Sequence, residues 1–407
     1  MSSEEIKEEL ARCTSMLAFP RRTGTPDNEK ARTIIADQLK NDGLDVHFEE
    51  FIYNTTVSTL VNVAIAISLI TSDFLIFEIA WYSFYCLKWL QVILGFIMLG
   101  MLLVSFSIPV NARWRTTRPS SEKKSRHEKI GVNIVAEVDN ENARTGDMKE
   151  SVAIVGAHYD SISLLFPPKF SLILYLMNSI GVLVIAVLAV FEGTWYLIEG
   201  DSSLWLRIVE SMLALLALFT LLARFFNKRS NQSRGAVDNA TGCAVLLLLA
   251  KRFTFASETM FSKIRFVFFD AEEEGLWGSL HHALHGPFAL DRRAGRNAIA
   301  FSLDEVGGPG RFMASESYGF PRVTRSPENW FLTVFHDLVT REGIKIMKTW
   351  YPYAASDHAP FIVGGASATW LAHVYMNANS RKDNVEDANE GHMLETLELM
   401  EKFLKEC

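Results

Sequence analysis

The chain has 407 residues, and a chain of this length usually folds into more than one structural unit. Its net charge of −7 and the lack of a long basic run argue against nucleic acid as a partner. Hydrophobic residues make up 49% of the chain and are concentrated in a few long runs, a pattern typical of membrane spans.

Four apolar segments approach the ~20 residues that a helix needs to cross the hydrocarbon of a bilayer. In chain order they are Thr56–Ser72, Trp89–Val110, Phe170–Phe191 and Ile208–Phe226. The first is also compatible with a buried helix of a large protein. The four segments form two transmembrane helical hairpins, 55–111 and 165–232. Each hairpin returns the chain to the side that it left, so all other residues are expected on one side of the membrane.

The other segments, 1–54, 112–164 and 233–407, are predicted to form one α/β domain into which the hairpins are inserted. Predicted strands are Val46–Ile52, Val132–Val138, Val152–Ala157, Ile264–Phe269, Ala298–Leu303 and Ala368–His373. Predicted helices are Glu4–Leu17, Asn28–Asp42, Thr241–Phe253, Pro327–Glu342 and His392–Lys405. Buried strands that alternate with helices predict a mostly parallel central sheet with helices on both faces.

The positive charges beside the spans predict which side of the membrane the domain occupies. Lys and Arg are frequent after the second span, in 113–129, and after the fourth, in 224–234. The loops on the opposite side carry only Lys88 and Arg207. Because cytoplasmic loops are enriched in Lys and Arg, we predict an integral membrane protein with four transmembrane helices and a cytoplasmic domain. The four cysteines show no paired spacing and agree with a reducing compartment.

Acidic residues and one histidine follow several predicted strands. His158 and Asp160 come at the end of Val152–Ala157, and Glu272 and Glu273 follow Ile264–Phe269. Asp304 ends Ala298–Leu303. Adjacent acids after a buried strand are unfavourable unless a positive charge meets them. Imidazole and carboxylates converging at strand ends are therefore candidate zinc ligands.

Asp238 lies just before the predicted helix Thr241–Phe253, where an acid in isolation would be interpreted as a helix N-cap. Taken with the strand-end acids, it becomes a candidate ligand. A two-zinc hydrolase needs such a carboxylate to bridge the ions and another to accept a proton from the attacking water.

The order and spacing of these motifs, together with Ser356-Asp357-His358, resemble the zinc aminopeptidase family. That family includes bacterial leucyl aminopeptidases, glutamate carboxypeptidase and the glutaminyl cyclases. The resemblance implies that His158 and Asp304 bind one zinc, that Asp238 bridges, and that Glu273 binds a second zinc. It also implies that Glu272 is the general base and that Asp160 supports His158.

The chain departs from the family at the last ligand. The resemblance places a histidine at the start of the stretch Asn379-Ser380-Arg381-Lys382-Asp383, where this chain has Asn379. An amide oxygen is a weaker zinc ligand than imidazole. The expected cofactor is therefore one or two zinc ions. The second ion could be bound weakly through Asn379, or His358 could replace the missing histidine. His373 is more consistent with packing in its strand, and the histidines at 281, 282 and 285 with a solvated helix face.

The function implied is a membrane-anchored zinc-dependent exopeptidase, foremost an aminopeptidase that cleaves N-terminal residues of peptides by means of a metal-bound water and a glutamate base. A catalytically impaired pseudo-peptidase that acts as a membrane scaffold is the alternative, because of Asn379. Glutaminyl cyclase fits less well, since the resemblance implies that its single zinc needs the missing histidine. The expected partners are a peptide substrate and the lipid bilayer, and the sequence does not indicate an oligomeric state.

Overall fold

The structure is a computed structural model that describes residues 2–55, 85–107, 117–120, 125, 127–140, 151–166, 168–200, 204–254, 259–286, 288, 297–318, 324–351 and 356–406. The chain forms two compact units. One, the α/β unit, comprises Met1–Asn54, Val110–Leu164 and Arg229–Cys407. The other, the helical unit, comprises Thr55–Pro109 and Leu165–Lys228.

The described secondary structure consists of short and long strands joined by helices. The strands are β1 (Val46–Tyr53), β2 (Arg118–Pro119), β3 (Lys129–Asp139), β4 (Ser151–His158), β5 (Ser163–Leu164), β6 (Arg229–Ser230), β7 (Lys263–Phe269), β8 (Asn297–Leu303), β9 (Phe312–Ser315), β10 (Ser317–Tyr318), β11 (Thr324–Arg325), β12 (Met347–Lys348) and β13 (Ser367–His373). The helices are α1 (Ser3–Leu17), α2 (Pro26–Asn41), α3 (Tyr85–Ser107), α4 (Pro168–Glu199), α5 (Leu204–Phe226), α6 (Thr241–Thr254), α7 (Trp277–Leu284), α8 (Trp330–Arg341), α9 (His358–Val363) and α10 (Glu390–Glu406). A π-helical turn, Ala236–Ala240, precedes α6.

The α/β unit is built on a nine-stranded sheet with the order β12-β9-β13-β8-β4-β7-β3-β1-β2. The four central strands, β13, β8, β4 and β7, are parallel to one another. On one side β3, β1 and β2 continue the sheet in antiparallel pairing, and on the other side β9 is antiparallel to β13. The sheet is thus mixed: the predicted parallel arrangement holds at its centre, and antiparallel strands are added at both edges.

Helices cover both faces of the sheet because side chains alternate along each strand. Val155 and Phe266 belong to a core that also contains residues of α1, α6 and α10. Their neighbours Ile154 and Val267 belong to a second core with residues of α7 and α9. The buried faces explain why the central strands are apolar along their whole length.

The predicted long elements of the α/β unit are confirmed, with ends that differ by at most a few residues. The short strands β9 and β12 and the short helices α7 and α9 are absent from the prediction. Strands of two to four residues and helices of six to eight residues are too short to show a hydrophobic period.

The helical unit contains α3, α4 and α5. Helices α4 and α5 include the third and fourth predicted spans, and α3 includes the second as far as Ser107, since 108–110 lie outside the described residues. The first predicted span, 56–72, lies outside the described residues. Within the described part of the chain, one helical segment, Ile180–Glu199, is long and apolar enough to cross a membrane, and Lys88–Gly100 is apolar but shorter. Four membrane spans are therefore not supported by the length and composition of the described helices.

The helical unit buries small, polar and some large apolar side chains, and it exposes many other large apolar ones. Ala186 and Ala217 are buried between the helices, whereas Phe96, Ile180 and Phe219 are more than half exposed. Lys88 and Glu192 are fully buried, and Lys88 Nζ lies 3.2 Å from Glu192 Oε1. The helical unit thus differs from the α/β unit in the large number of apolar side chains on its outer surface.

Candidate zinc site

The candidate site lies where three adjacent parallel strands end. His158 is the last residue of β4, Asp304 directly follows β8, and Glu272 comes shortly after β7. Parallel strands direct their carboxyl ends to one edge of the sheet, where α/β proteins bind ligands. One ligand atom from each of His158, Glu272 and Asp304 lies within 4.8 Å of the other two. All three strand-end groups therefore reach the same edge.

Asp238 reaches the same place from the π-helical turn that precedes α6. Its Oδ1 lies 3.3 Å from His158 Nε2, and Asp304 Oδ1 lies 3.2 Å from the same nitrogen. One imidazole nitrogen thus faces two buried carboxylates. The N-cap interpretation of Asp238 is not realised, because its side chain is directed to His158 and not to the first turn of α6.

Asp160 supports the site in a different way from the one expected. The Nδ1 atom of His158 is closer to the backbone carbonyl of Asp160, at 3.2 Å, than to its carboxylate, at 3.6 Å. The carboxylate instead accepts hydrogen bonds from the backbone N–H groups of Glu272 and Glu273, at 3.1 and 3.2 Å. Asp160 is therefore a positioning residue for the glutamate loop as well as for His158.

Asp383 holds the loop that carries Asp238. Its two carboxylate oxygens accept hydrogen bonds from the backbone N–H groups of Val237, at 2.8 Å, and Asp238, at 3.2 Å. Asp383 ends the stretch that begins at Asn379, so these bonds also bring that stretch to the site. The sequence pattern marked Asp383 as the end of this stretch but indicated no role for its side chain.

Arg21 is a second supporting residue, and no motif in the sequence indicated it. Its guanidinium is fully buried and donates to backbone carbonyls on both sides of the site, among them Tyr159 at 2.6 Å and Gly235 at 2.7 Å. It thus connects the residue after His158 to the start of the π-helical turn. Nothing in the local sequence distinguishes this arginine from the neighbouring Arg22.

The acids of the site disfavour one another's ionisation. Burial, with the charges of Glu273 and Asp357, raises the pKa of Glu272 well above its usual range. Burial and Asp238 do the same to the pKa of Glu273. Burial alone would lower the pKa of His158, but nearby carboxylates, first Glu272, raise it well above its usual value. A divalent cation would relieve this repulsion.

Buried polar atoms without partners test whether these residues fit a metal ion. Glu273 Oε1 and Asn379 Oδ1 are both buried, and neither has a hydrogen-bond partner among the described residues. Buried oxygens are normally paired, so the unpaired Glu273 oxygen, which lies among the carboxylates of the site, is consistent with a ligand of a cation. The residues present are therefore compatible with zinc.

The two alternative histidines have different surroundings. His358 is buried, its ring lies 6.0 Å from that of Trp370, and neither ring nitrogen has a hydrogen-bond partner among the residues described. His373 is stacked between Phe312, at 4.6 Å, and His392, at 4.2 Å between ring centroids. The packing interpretation of His373 therefore agrees with the structure, and His358 remains a candidate ligand.

The histidines of α7 contradict one expectation. His281 and His282 are buried, and only His285, which follows the helix, is exposed. The solvated helix face predicted for them was wrong. The helix is covered by β1, a contact between residues far apart in sequence that helical spacing does not reveal.

Non-glycine residues with positive φ occur next to the site. Ala271 precedes Glu272 with φ of 58°, Glu305 follows Asp304 with φ of 59°, and Asn379 has φ of 55°. This region of backbone conformation is unfavourable for residues with a side chain and is often found at functional sites.

We expect Asp383→Asn to weaken zinc binding about 10-fold to 100-fold, as loss of supporting hydrogen bonds around metal ligands typically does. The asparagine amide would direct an N–H group at a backbone N–H that now donates to the carboxylate. Elemental analysis and zinc titration measure the effect. Glu386→Gln, an exposed acid of the same segment, is the matched control. Equal zinc affinity in the two variants would contradict the role given to Asp383.

Comparison with known proteins agrees with this geometry. Residues 220–404 match peptidase family M28. No curated protein sequence matches the chain significantly.

Several solved structures have a similar fold. An aminopeptidase from Aneurinibacillus sp. strain AM-1 aligns with a TM-score of 0.54 and 14% identity, over 98% of this chain and 92% of that one. The zinc aminopeptidase BSAP from Bacillus subtilis aligns with a TM-score of 0.53 and 12% identity, over 98% and 94%. The glutaminyl cyclase of Fimbriiglobus ruber aligns with a TM-score of 0.51 and 14% identity, over 98% and 94%.

At such low identity these structures establish the fold alone, and the family match covers residues 220–404, which is less than half of the chain. The resemblance to zinc aminopeptidases and glutaminyl cyclases is confirmed, and these findings support a metallopeptidase. Residues 220–404 of this chain are therefore similar to peptidase family M28.

Proposed function

We propose that the chain is a zinc-dependent exopeptidase, and specifically an aminopeptidase that removes N-terminal residues from peptides. The observation that carries this proposal is the convergence of His158, Glu272 and Asp304 within ligand distance of one another at the carboxyl ends of parallel strands. The family match and the fold of the aminopeptidase structures support the same activity.

In this proposal His158 and Asp304 would hold one zinc ion, Asp238 would be shared between two metal positions, and Glu273 would hold the second. Zinc would act as a Lewis acid and lower the pKa of a bound water. Glu272 accepts the proton of the attacking water as the C–O bond forms. It then passes that proton to the nitrogen of the leaving amine as the C–N bond breaks. Asp160 holds the backbone of Glu272 and Glu273 during both steps.

Glu272 lies close enough to His158 and Asp304 to be a ligand instead of the base. We expect Glu272→Gln to lower hydrolysis of aminoacyl amides at least about 100-fold, because glutamine cannot accept the proton. If Glu272 is the base and not a ligand, the zinc content of the Glu272→Gln variant, measured by elemental analysis, should equal that of the wild type.

The matched control is Glu274→Gln in the same loop, whose side chain pairs with Arg22 and Lys129 outside the zinc cluster. Its activity should fall less than that of Glu272→Gln. Loss of zinc from Glu272→Gln would assign this glutamate as a ligand, and full activity of the variant would exclude both roles.

The second metal position is weakened by Asn379. We expect Asn379→His to raise the affinity for a second zinc ion and to increase hydrolysis, since imidazole is the stronger ligand. Zinc titration with parallel activity assays measures both. Asn384→His, in the same segment, is the control for an added histidine. No gain beyond that control would indicate that another group, with His358 as the candidate, already completes the position.

Asn379 also favours the alternative function, a catalytically impaired pseudo-peptidase that serves as a membrane scaffold or binding protein. Activity that occurs only in Asn379→His would support that alternative. A glutaminyl cyclase fits less well, because its zinc would depend on Asp238, Glu273 and the altered position 379.

We propose that the helical unit anchors the protein in a lipid bilayer, with the α/β unit on the cytoplasmic side. Most of the exposed large apolar side chains in the described residues lie on α3, α4 and α5, including Trp89, Val187 and Trp205. Proteins that are surrounded by water rarely expose so large an apolar surface. The buried Lys88 and Glu192 pair agrees with the rule that charges within membranes face the bundle interior.

We expect the full-length chain to remain in the membrane fraction after alkaline carbonate extraction and to be released by detergent. A tag at the C-terminus should be accessible to protease after selective permeabilisation of the plasma membrane, because the domain is predicted to be cytoplasmic. Release by carbonate would contradict the anchor. A tag protected from protease until internal membranes are dissolved would contradict the orientation alone.

A further inference from the structure

Three cations surround the carboxylate of Glu274. Arg22 donates to Glu274 Oε1 from Nε at 2.9 Å and from Nη2 at 2.7 Å. Lys129 Nζ lies 3.1 Å from the other oxygen, Oε2, and Arg229 Nη1 lies 3.9 Å from it. We call Arg22, Lys129 and Arg229 the basic cluster. All three residues belong to the α/β unit.

The basic cluster carries more positive charge than Glu274 neutralises. Burial would raise the pKa of Glu274, but the hydrogen bonds from Arg22 and the charge of Lys129 lower it below its usual value, so the carboxylate is ionised at neutral pH. Within the described residues, neither Lys129 nor Arg229 has another acidic partner at ion-pair distance. Three cations and one carboxylate leave an excess of two positive charges.

Lys129 and Arg229 are the members of the basic cluster that a ligand can reach. Their side chains are 45% and 44% exposed, whereas that of Glu274 is 4% exposed. Arg22 uses two hydrogen bonds on one oxygen of Glu274, so Lys129 and Arg229 share the second oxygen. Because the same carboxylate already holds both cations, part of the entropy cost of ordering them is met before a ligand binds.

Chain connectivity places these two cations beside both inserted segments of the helical unit. The helical unit ends at Lys228, so Arg229 is the first residue after it. Lys129 pairs with Tyr53 across strands β3 and β1, and the helical unit begins two residues after Tyr53, at Thr55. Two residues of chain span at most about 7 Å.

The helical unit is proposed above to lie in a lipid bilayer, and the present inference rests on that anchor. The headgroup region of a bilayer is about 5–8 Å thick on each side of the hydrocarbon. Lys129 and Arg229 therefore lie within reach of the lipid phosphates. Leu164 pairs with Arg229, and the next residue, Leu165, is 63% exposed. An apolar side chain next to cations is typical of the boundary between hydrocarbon and headgroups.

We propose that Lys129 and Arg229 bind the headgroup of an anionic lipid, and specifically a phosphomonoester such as that of phosphatidic acid. A phosphomonoester carries a charge of about −1.5 to −2 at pH 7, which matches the excess positive charge of the basic cluster. Arginine binds phosphate oxygens through paired N–H groups, and lysine contributes a compact charge.

The test is native mass spectrometry of the full-length protein in detergent, titrated separately with phosphatidic acid and with phosphatidylcholine of the same acyl chains. We expect one phosphatidic acid to bind about 30-fold more tightly than phosphatidylcholine, because each cation at an anionic membrane surface contributes roughly a factor of 5. The double variant Lys129→Gln with Arg229→Gln should lose this preference.

Lys345→Gln with Lys348→Gln is the matched control, because it removes two exposed cations of the same unit at the β12 edge of the sheet. Lys129→Arg with Arg229→Lys keeps both charges and should keep the preference. This charge-preserving variant separates loss of binding from loss of the fold, which the melting temperature of every variant also reports.

Equal affinity of the wild type for phosphatidic acid and phosphatidylcholine would overturn the proposal, as would an unchanged preference in Lys129→Gln with Arg229→Gln. Equal affinity for phosphatidylglycerol, whose phosphodiester carries one charge, would overturn the phosphomonoester headgroup. Displacement of the lipid by an equal concentration of glycerol 3-phosphate or inorganic phosphate would indicate a site for soluble phosphate and overturn the lipid. Release of the protein by carbonate, with the preference retained, would contradict the anchor alone.

Discussion

The packing of several carboxylates around one buried imidazole is the constraint on which the α/β unit depends. His158 Nε2 lies within 3.3 Å of Asp238 and Asp304 oxygens, and Glu272 is close to both His158 and Asp304. Such acids raise one another's pKa and would separate if their backbones were mobile. The fold holds them together because each follows a strand or turn fixed elsewhere in the chain.

Three residues outside the acidic cluster fix these backbones. Asp160 holds the glutamate loop, Asp383 holds the turn with Asp238, and Arg21 connects that turn to the end of β4. Each acts through backbone groups, so each sets the position of a neighbouring side chain. Buried charged groups are stable only when hydrogen-bonded, and these three satisfy that condition.

The helical unit differs from the α/β unit in its outer surface. Its buried side chains include Ala186, Ala217 and the Lys88–Glu192 pair, whereas its outer surface is rich in large apolar residues. In a protein surrounded by water, burial of large apolar side chains is what stabilises the fold. The contrast between the two units is the main physical argument for a lipid environment around α3, α4 and α5.

The apolar runs of the chain predict much of the α/β unit. The long strands and helices match their predicted positions, since a buried strand and an amphipathic helix have a period visible in sequence. The strand-end positions of His158, Glu272 and Asp304 are predictable for the same reason, because a polar group that ends an apolar run marks the sheet edge. The short helices α7 and α9 have no such period.

The amino-acid sequence by itself determined which residues lie at strand ends and which one, Asn379, departs from the resemblance. Only the tertiary structure decided what those residues contact. The carboxylate of Asp160 bonds the glutamate backbone, and β1 covers His281 and His282. Contacts of this kind join residues more than one hundred positions apart. Local sequence carries no signal for them, because they depend on how the strands are ordered in the sheet.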